Sequence, residues 1–295
     1  MRGKSKKTNK QVGLRVNDSK QSISATPSES KTLRLFLIKS TVFLFAIVSF
    51  IMLVDFKGLF DSSEINYHSK RAWDEFYSFT EDKDIDILLL GNSHIYTGIN
   101  PQSLSTSLGV NSFILSAPGT HLGDVYYSFE EALSRVKPKV VVVETYAMND
   151  FNPYKLVGSA LSDQIKSFAS RKNAGIKLLS TPMLFSPENY MYAWSSLIRN
   201  HSFIFTDSAQ LAINFEKKKT IVPAPGEDYK LGKFIRFVSG LEPEVISKYD
   251  EFGAPVKGQD YKFSSHTIKY LEKIKNLAAK NNIKLVFLTL PMYKK

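Results

Sequence analysis

The sequence predicts an α/β protein built on a parallel, doubly wound sheet behind a single membrane-spanning helix, and three observations carry that reading. One run, Leu35 to Val54, is apolar almost throughout. Short, mostly apolar runs at Ile85 to Leu90, Val110 to Leu115 and Val140 to Glu144 read as strands of a covered sheet. Between the runs lie stretches of helical periodicity, the alternation that a parallel sheet requires.

The chain of 295 residues is 43% hydrophobic, enough to bury a sizeable core. Its net charge of +11 is unevenly placed. Within residues 1–34, nine Lys or Arg against Asp18 and Glu29 leave a net +7, so the remainder carries only +4. A basic, polar leader on a nearly balanced body argues against nucleic-acid binding and for a disordered tail. With no cysteine present, disulfides, thiolate metal sites and a cysteine nucleophile are excluded. No cluster of His, Asp and Glu has metal-ligand spacing, and neither a phosphate loop nor a dinucleotide fingerprint occurs, so no metal or cofactor is expected.

Residues 35–54, "LFLIKSTVFLFAIVSFIMLV", interrupt their apolarity with Lys39 and small hydroxyl residues. A helix of this length matches a hydrocarbon layer of ~30 Å. Lys39 sits close enough to one end for its stem to reach the headgroups. A cleavable secretory signal would share the basic flank and apolar stretch. The long leader, the length of the apolar run and the lack of a small-x-small site after Val54, where "DFKGLFDSS" follows, favour an uncleaved anchor. Positive charge ahead of the span predicts a cytoplasmic N-terminus and an extracytoplasmic C-terminal domain, periplasmic or cell-surface.

Residues 55–83 read as a stalk and an amphipathic helix, with Trp73, Phe76 and Tyr77 at helical spacing. The α/β domain then occupies 84–295. In "NPQSLSTSLG", Asn100 is the expected N-cap, Pro101 the first helical residue and Gly109 the stop. From Asp124, Val125, Phe129, Ala132, Leu133 and Val136 recur with a helical period up to Pro138. The stretch from about 151 to 262 is an irregular insertion with one well-signalled helix, Tyr190 to Ile198 after Ser186-Pro187. A last helix, marked by Ile268, Leu271, Ile274 and Leu277, leads to a strand at 283–291.

Open α/β sheets place their sites at the carboxyl ends of their strands. Here those ends carry Gly91-Asn92-Ser93-His94, then "SAPGTHLGD" with Gly119, then "ETYAMND" with Asn149 and Asp150. A serine hydroxyl can attack an ester carbonyl, while a backbone amide beside a glycine and an asparagine amide can hold the oxyanion. Each residue also has a plain structural reading. Ser93 suits a tight turn, Gly119 after Pro118 is a turn signal, and Asn149 and Asp150 suit helix caps. Tyr190, Tyr192 and Trp194 either stack on sugar rings or pack inward.

The Gly-x-Ser-His turn after the first strand, the glycine after the second and the asparagine after the third resemble the first three blocks of the SGNH (GDSL-like) hydrolase superfamily. The likeness is nearest to its membrane-anchored extracytoplasmic branch, which includes polysaccharide O-acetylation proteins and the D-alanine transfer protein of teichoic acid modification. It implies a three-layer α/β/α flavodoxin-like sheet in a bacterial protein. It also implies Ser93 as nucleophile and an oxyanion hole from the Ser93 and Gly119 amides and the Asn149 side chain. Asn92, His94, His121 and Asp150 are candidate pocket residues.

An acylated glycan or acyl donor is then the expected partner, with a multi-span membrane acyltransferase as a further one. The function implied is a serine esterase or O-acyltransferase-like protein acting on a cell-surface polysaccharide. The rival is a catalytically inactive assembly component of such a complex. The family's base comes from an Asp-x-x-His block beyond the last strand, and the sequence stops at Lys295 without one. Either it is a fragment of a longer protein or it is a member lacking that base. Among the five histidines, His121 is a candidate substitute base, whereas His266 is expected at the opposite edge of the sheet, and His68 and His201 in structural or solvent-facing roles.

Overall fold

The computed structural model describes residues 27–61, 68–148, 152, 156–206, 208–215, 227–236 and 263–290. Of the basic leader, residues 1–26 lie outside them, and 27–34, expected to be disordered, belong to a helix. Two compact units divide at Phe50. The first contains most of helix α1, Pro27–Lys57, whose stretch from Lys31 to Lys57 includes an 18-residue window of mean hydropathy 2.4 and is long and apolar enough to cross a membrane.

The second unit is mixed α/β. Helix α2 (His68–Asp82) precedes strand β1 (Ile87–Gly91), which runs into helices α3 (Ser93–Gly98) and α4 (Pro101–Leu108). Strand β2 (Ser112–Ser116), helix α5 (Leu122–Ala132) and strand β3 (Val140–Glu144) follow. A helical stretch comprises α6 (Gly158–Ser170), α7 (Ala174–Leu184), α8 (Tyr190–Trp194), α9 (Ser196–Asn200), α10 (Phe203–Thr206) and α11 (Ser208–Phe215). The antiparallel hairpin β4 (Glu227–Lys230) and β5 (Lys233–Arg236), helix α12 (Ser265–Lys280) and strand β6 (Lys284–Leu288) complete the described chain.

All four strands of the main sheet are parallel, in the order β2-β1-β3-β6. The period-two alternation of strand side chains sorts the apolar run into two cores. Leu88, Leu90, Phe113, Leu115, Val141 and Val143 point to a large cluster shared with α2, α5, α6, α7 and α12. Leu89 and Ile114 point the other way, to a small cluster with Ile95 and Tyr96 of α3. Uninterrupted apolar strands are therefore the expected pattern, since both faces are covered.

Local signals behave as their chemistry dictates. The Asn100 side chain accepts from the Gln102 and Ser103 amides, Pro101 opens α4, and Gly109 closes it in the left-handed region at φ 64°. The β2 margin of the sheet is occupied by the turn of the β4–β5 hairpin: the Ile114 amide donates to the Leu231 carbonyl at 3.0 Å. Both turn amides, of Leu231 and Gly232, donate to the Glu75 carboxylate. A Cβ at position 232 would fall 1.7 Å from the Ile114 carbonyl oxygen, so only glycine fits there.

Three expectations change. The region expected to be irregular is mostly helical among its described residues. Its single expected helix is two short ones, α8 and α9, divided at Ser195, whose hydroxyl caps α9 by accepting from the Ile198 amide. And His266 is at the carboxyl edge of the sheet, not the opposite one. The helix leading into a parallel strand runs against it, so the first turn of α12 faces the first turn of α5: a Cβ on Gly123 would lie 3.5 Å from the His266 Nε2.

Candidate functional site

The first strand ends at Gly91, in register with Ser116 of β2. Glycine is required at this point by its neighbour: a Cβ there would stand 2.7 Å from the Cβ of Glu144, the last residue of β3. Asn92 follows, 3% exposed, and its side chain accepts from the His94 amide at 3.0 Å. That cap starts α3, making half-buried Ser93 the first helical residue. The Ser93 carbonyl accepts from the Thr97 hydroxyl at 2.7 Å, which fixes the turn bearing the nucleophile candidate.

Next to this turn is a group that the sequence reading passed over. Glu144 is 2% exposed. Its Oε1 accepts from the Tyr146 amide at 2.8 Å and lies 3.8 Å from the Nδ1 of His94. Its Oε2 has no hydrogen-bond partner of good geometry. Burial pushes the Glu144 carboxyl above the usual carboxylate range; the Tyr146 amide, His94, and the nearby Asn92 and Ala147 amides pull the other way. The His94 ring also meets Tyr146 edge-on, with centroids 4.2 Å apart. A carboxylate closing a run of four valines was the available sequence signal, because a charge at the end of a doubly covered strand needs a reason.

The second strand end joins the same rim. The Ala117 amide donates to the Gly91 carbonyl at 3.4 Å, and the Thr120 hydroxyl donates to the Ala117 carbonyl at 2.6 Å. Gly119 stands at the tip of that turn with φ 59°, under α6, where a Cβ would come 3.5 Å from an Asp163 carboxylate oxygen. A narrow seam beneath the turns, too tight for a water molecule, is bordered by Gly91, Ser116, Thr120 and Asp124. The Ser116 hydroxyl that faces it is buried without a hydrogen bond.

His121 occupies the N-cap position of α5 without capping it. Burial, opposed by Asp124 and assisted by His266, lowers its pKa to about 4, so it is neutral at neutral pH and a weak base. His68 is buried and stacks on Tyr96 at 3.7 Å, whereas His201 is exposed at the end of α9. The structure thus brings Asn92, Ser93, His94 and Glu144 together, with Gly119 and His121 at the neighbouring strand end. Asn149 and Asp150 lie outside the described residues. Among the described residues, no group of three His, Asp or Glu side chains is disposed to hold a metal.

Trp194 is mixed in character. Its ring packs edge-on against Phe168 at 5.7 Å and its indole N–H donates to the Thr181 hydroxyl, yet it remains 41% exposed.

Comparison of the chain with protein-family models and with curated protein sequences finds no match.

Proposed function

We propose that the chain is a membrane-tethered, extracytoplasmic SGNH-like domain acting on acyl esters of a cell-surface polysaccharide, with Ser93 as nucleophile. The observation that carries the reading is that the carboxyl ends of the two central strands put Ser93 in the turn after β1 and, beside it, a desolvated Glu144 carboxylate 3.8 Å from the His94 Nδ1. Supporting it, the strand order β2-β1-β3-β6 is the one that flavodoxin-like sheets use at their switch point. The apolar helix near the N-terminus supports a tether, and the basic residues before it support export of the body.

In this reading the Ser93 Oγ attacks the ester carbonyl carbon and loses its proton to a base. The carbonyl oxygen becomes an oxyanion facing the Ser93 and Gly119 amides, with the Asn149 amide as the third donor implied by the resemblance. Expulsion of the alcohol, which takes up that proton, leaves an acyl-serine. Water completes hydrolysis and a sugar hydroxyl completes transfer. His94, with Glu144 at its Nδ1, is the imidazole next to the nucleophile in this chain.

A fluorophosphonate probe tests the reading on the full chain. Ser93 should be labelled, Ser93→Ala should not, and His94→Gln should label much more slowly if His94 is the base. Equal labelling of the parent and Ser93→Ala would end the proposal. No labelling, with co-purification of a multi-span membrane protein, would assign the inactive assembly role instead.

A further inference from the structure

The segment immediately after the apolar span is bound tightly to the helical stretch that follows β3. Residues from Ile51 onward belong to the same compact unit as the sheet. Val54 and Phe60 are buried in that unit. Asp55 accepts from the Ser196 hydroxyl at 2.8 Å and the Leu197 amide at 2.9 Å, so its carboxylate serves the first turn of α9. The Asn200 side chain donates to the Phe60 carbonyl at 2.7 Å. The Asn214 side chain, 1% exposed, donates to the carbonyls of both Leu59 and Asp61. Helices α9 and α11 therefore grip the residues on which the span ends.

Around these clamps the protein exposes large apolar side chains. Phe56, one residue from Asp55, is 85% exposed. Phe215, one residue from Asn214, is 72% exposed. Ile204 and Phe205, four and five residues beyond Asn200, are 53% and 88% exposed, and Met191 on α8 is 56% exposed. In the sheet domain Phe113 and Phe129 are fully buried, while Leu108 on α4, Leu178 and Leu179 on α7 and Phe287 on β6 are exposed singly or in pairs. Basic residues accompany the apolar ones, with Lys57 in the last turn of α1, Arg199 in α9 and, in the sequence, Lys217 to Lys219 directly after Phe215 and Glu216.

We propose that α8 to α11 form an interfacial platform, lying against the headgroup region of the bilayer that the protein's own span crosses. Chain continuity is the main ground. The clamps hold chain positions one to seven residues beyond Val54, no more than about 25 Å of extended chain, so exposed side chains beside them are within reach of the interface. Apolar and aromatic groups with neighbouring Lys and Arg are the composition that interfacial helices use, the former entering the acyl boundary and the latter meeting anionic headgroups. The consequence is a second, lateral membrane contact that fixes the height and tilt of the sheet domain. The proposal rests on the span crossing the membrane, and not on the chemistry assigned to Ser93.

Absence of native cysteine allows a direct test. The full chain carrying Phe205→Cys, Phe215→Cys or, as the reference, Leu108→Cys on α4 is labelled with an environment-sensitive nitrobenzoxadiazole dye. Each is reconstituted into phosphatidylcholine–phosphatidylglycerol vesicles. Dyes at 205 and 215 should be blue-shifted, quenched by lipids spin-labelled high on the acyl chain, and several-fold less sensitive to aqueous iodide than the dye at 108. Iodide sensitivity equal at all three positions would overturn the proposal. So would protection at 205 and 215 that disappears as lipid dilutes the protein, which would mark a second copy as the occupant. Failure of the chain to float with the vesicles would overturn the span itself, leaving the labelling test of Ser93 unaffected.

Discussion

Two buried carboxylates, in two parts of the molecule, have opposite surroundings. Asp124, at the start of α5, is saturated: Oδ1 takes the Gln164 amide at 3.0 Å and the Arg171 guanidinium at 2.9 Å, while Oδ2 takes the Ser167 hydroxyl at 2.5 Å. Arg171 is itself fully enclosed beside the Phe168 ring. Glu144, at the end of β3, has one good amide bond, an imidazole at 3.8 Å and an oxygen with no well-placed donor. Both are equally desolvated, so burial alone does not separate them. The completeness of the partner set does. A saturated carboxylate is a joint between helices, whereas an unsaturated one at a strand end holds unused bonding capacity where a reacting group can call on it.

That contrast can be broken most easily at Arg171. Arg171→Met leaves Asp124 enclosed without its counter-charge, and a loss of about 3–5 kcal/mol is expected. Thermal melting of the detergent-solubilised chain measures it; an unchanged melting temperature would mean that the joint is not structural. Gly91→Ala comes next, at about 1–3 kcal/mol, because the new methyl must displace Glu144 from a 2.7 Å approach. Fluorophosphonate labelling of Ser93 should fall with it.

Glu144→Gln is expected to alter stability by less than about 1 kcal/mol, since little bonding is lost, but to change its pH dependence. Because burial raises the Glu144 pKa, the folded protein binds this proton more readily than the unfolded chain. That contribution to stability is full below the ordinary glutamate value and is lost as pH rises through the raised one. The Gln variant should lack this decline. Identical melting-temperature profiles for parent and variant between weakly acidic and neutral pH would remove Glu144 from its assigned place.

What the sequence disclosed follows the range of the interactions involved. Four strands and the Asn100, Pro101 and Gly109 punctuation were legible because each depends on residues within a turn or two of chain. The Asp124–Arg171 joint was not, since 47 positions separate its members and only tertiary packing pairs them. Glu144 was visible as a residue but not as a neighbour of His94, because strand register had to bring their ends together. The edge at which His266 sits depends on the direction in which a crossover helix runs, which residue patterns within one helix do not carry. The short helices α10 and α11 escaped because neither exceeds about two turns and neither carries a full amphipathic period, and the break between α8 and α9 rests on the single Ser195 cap.

The hairpin turn on β2 has a consequence for assembly. Leu231 and Gly232 occupy one margin of the sheet, while β6 forms the other among the described residues. A foreign strand therefore cannot add to the β2 flank at Ile114, whose amide the turn already takes. Endless edge-to-edge polymerisation, which needs two receptive flanks per molecule, is blocked, and position 232 guards the fold's solubility through the one residue small enough to let the blocking turn close.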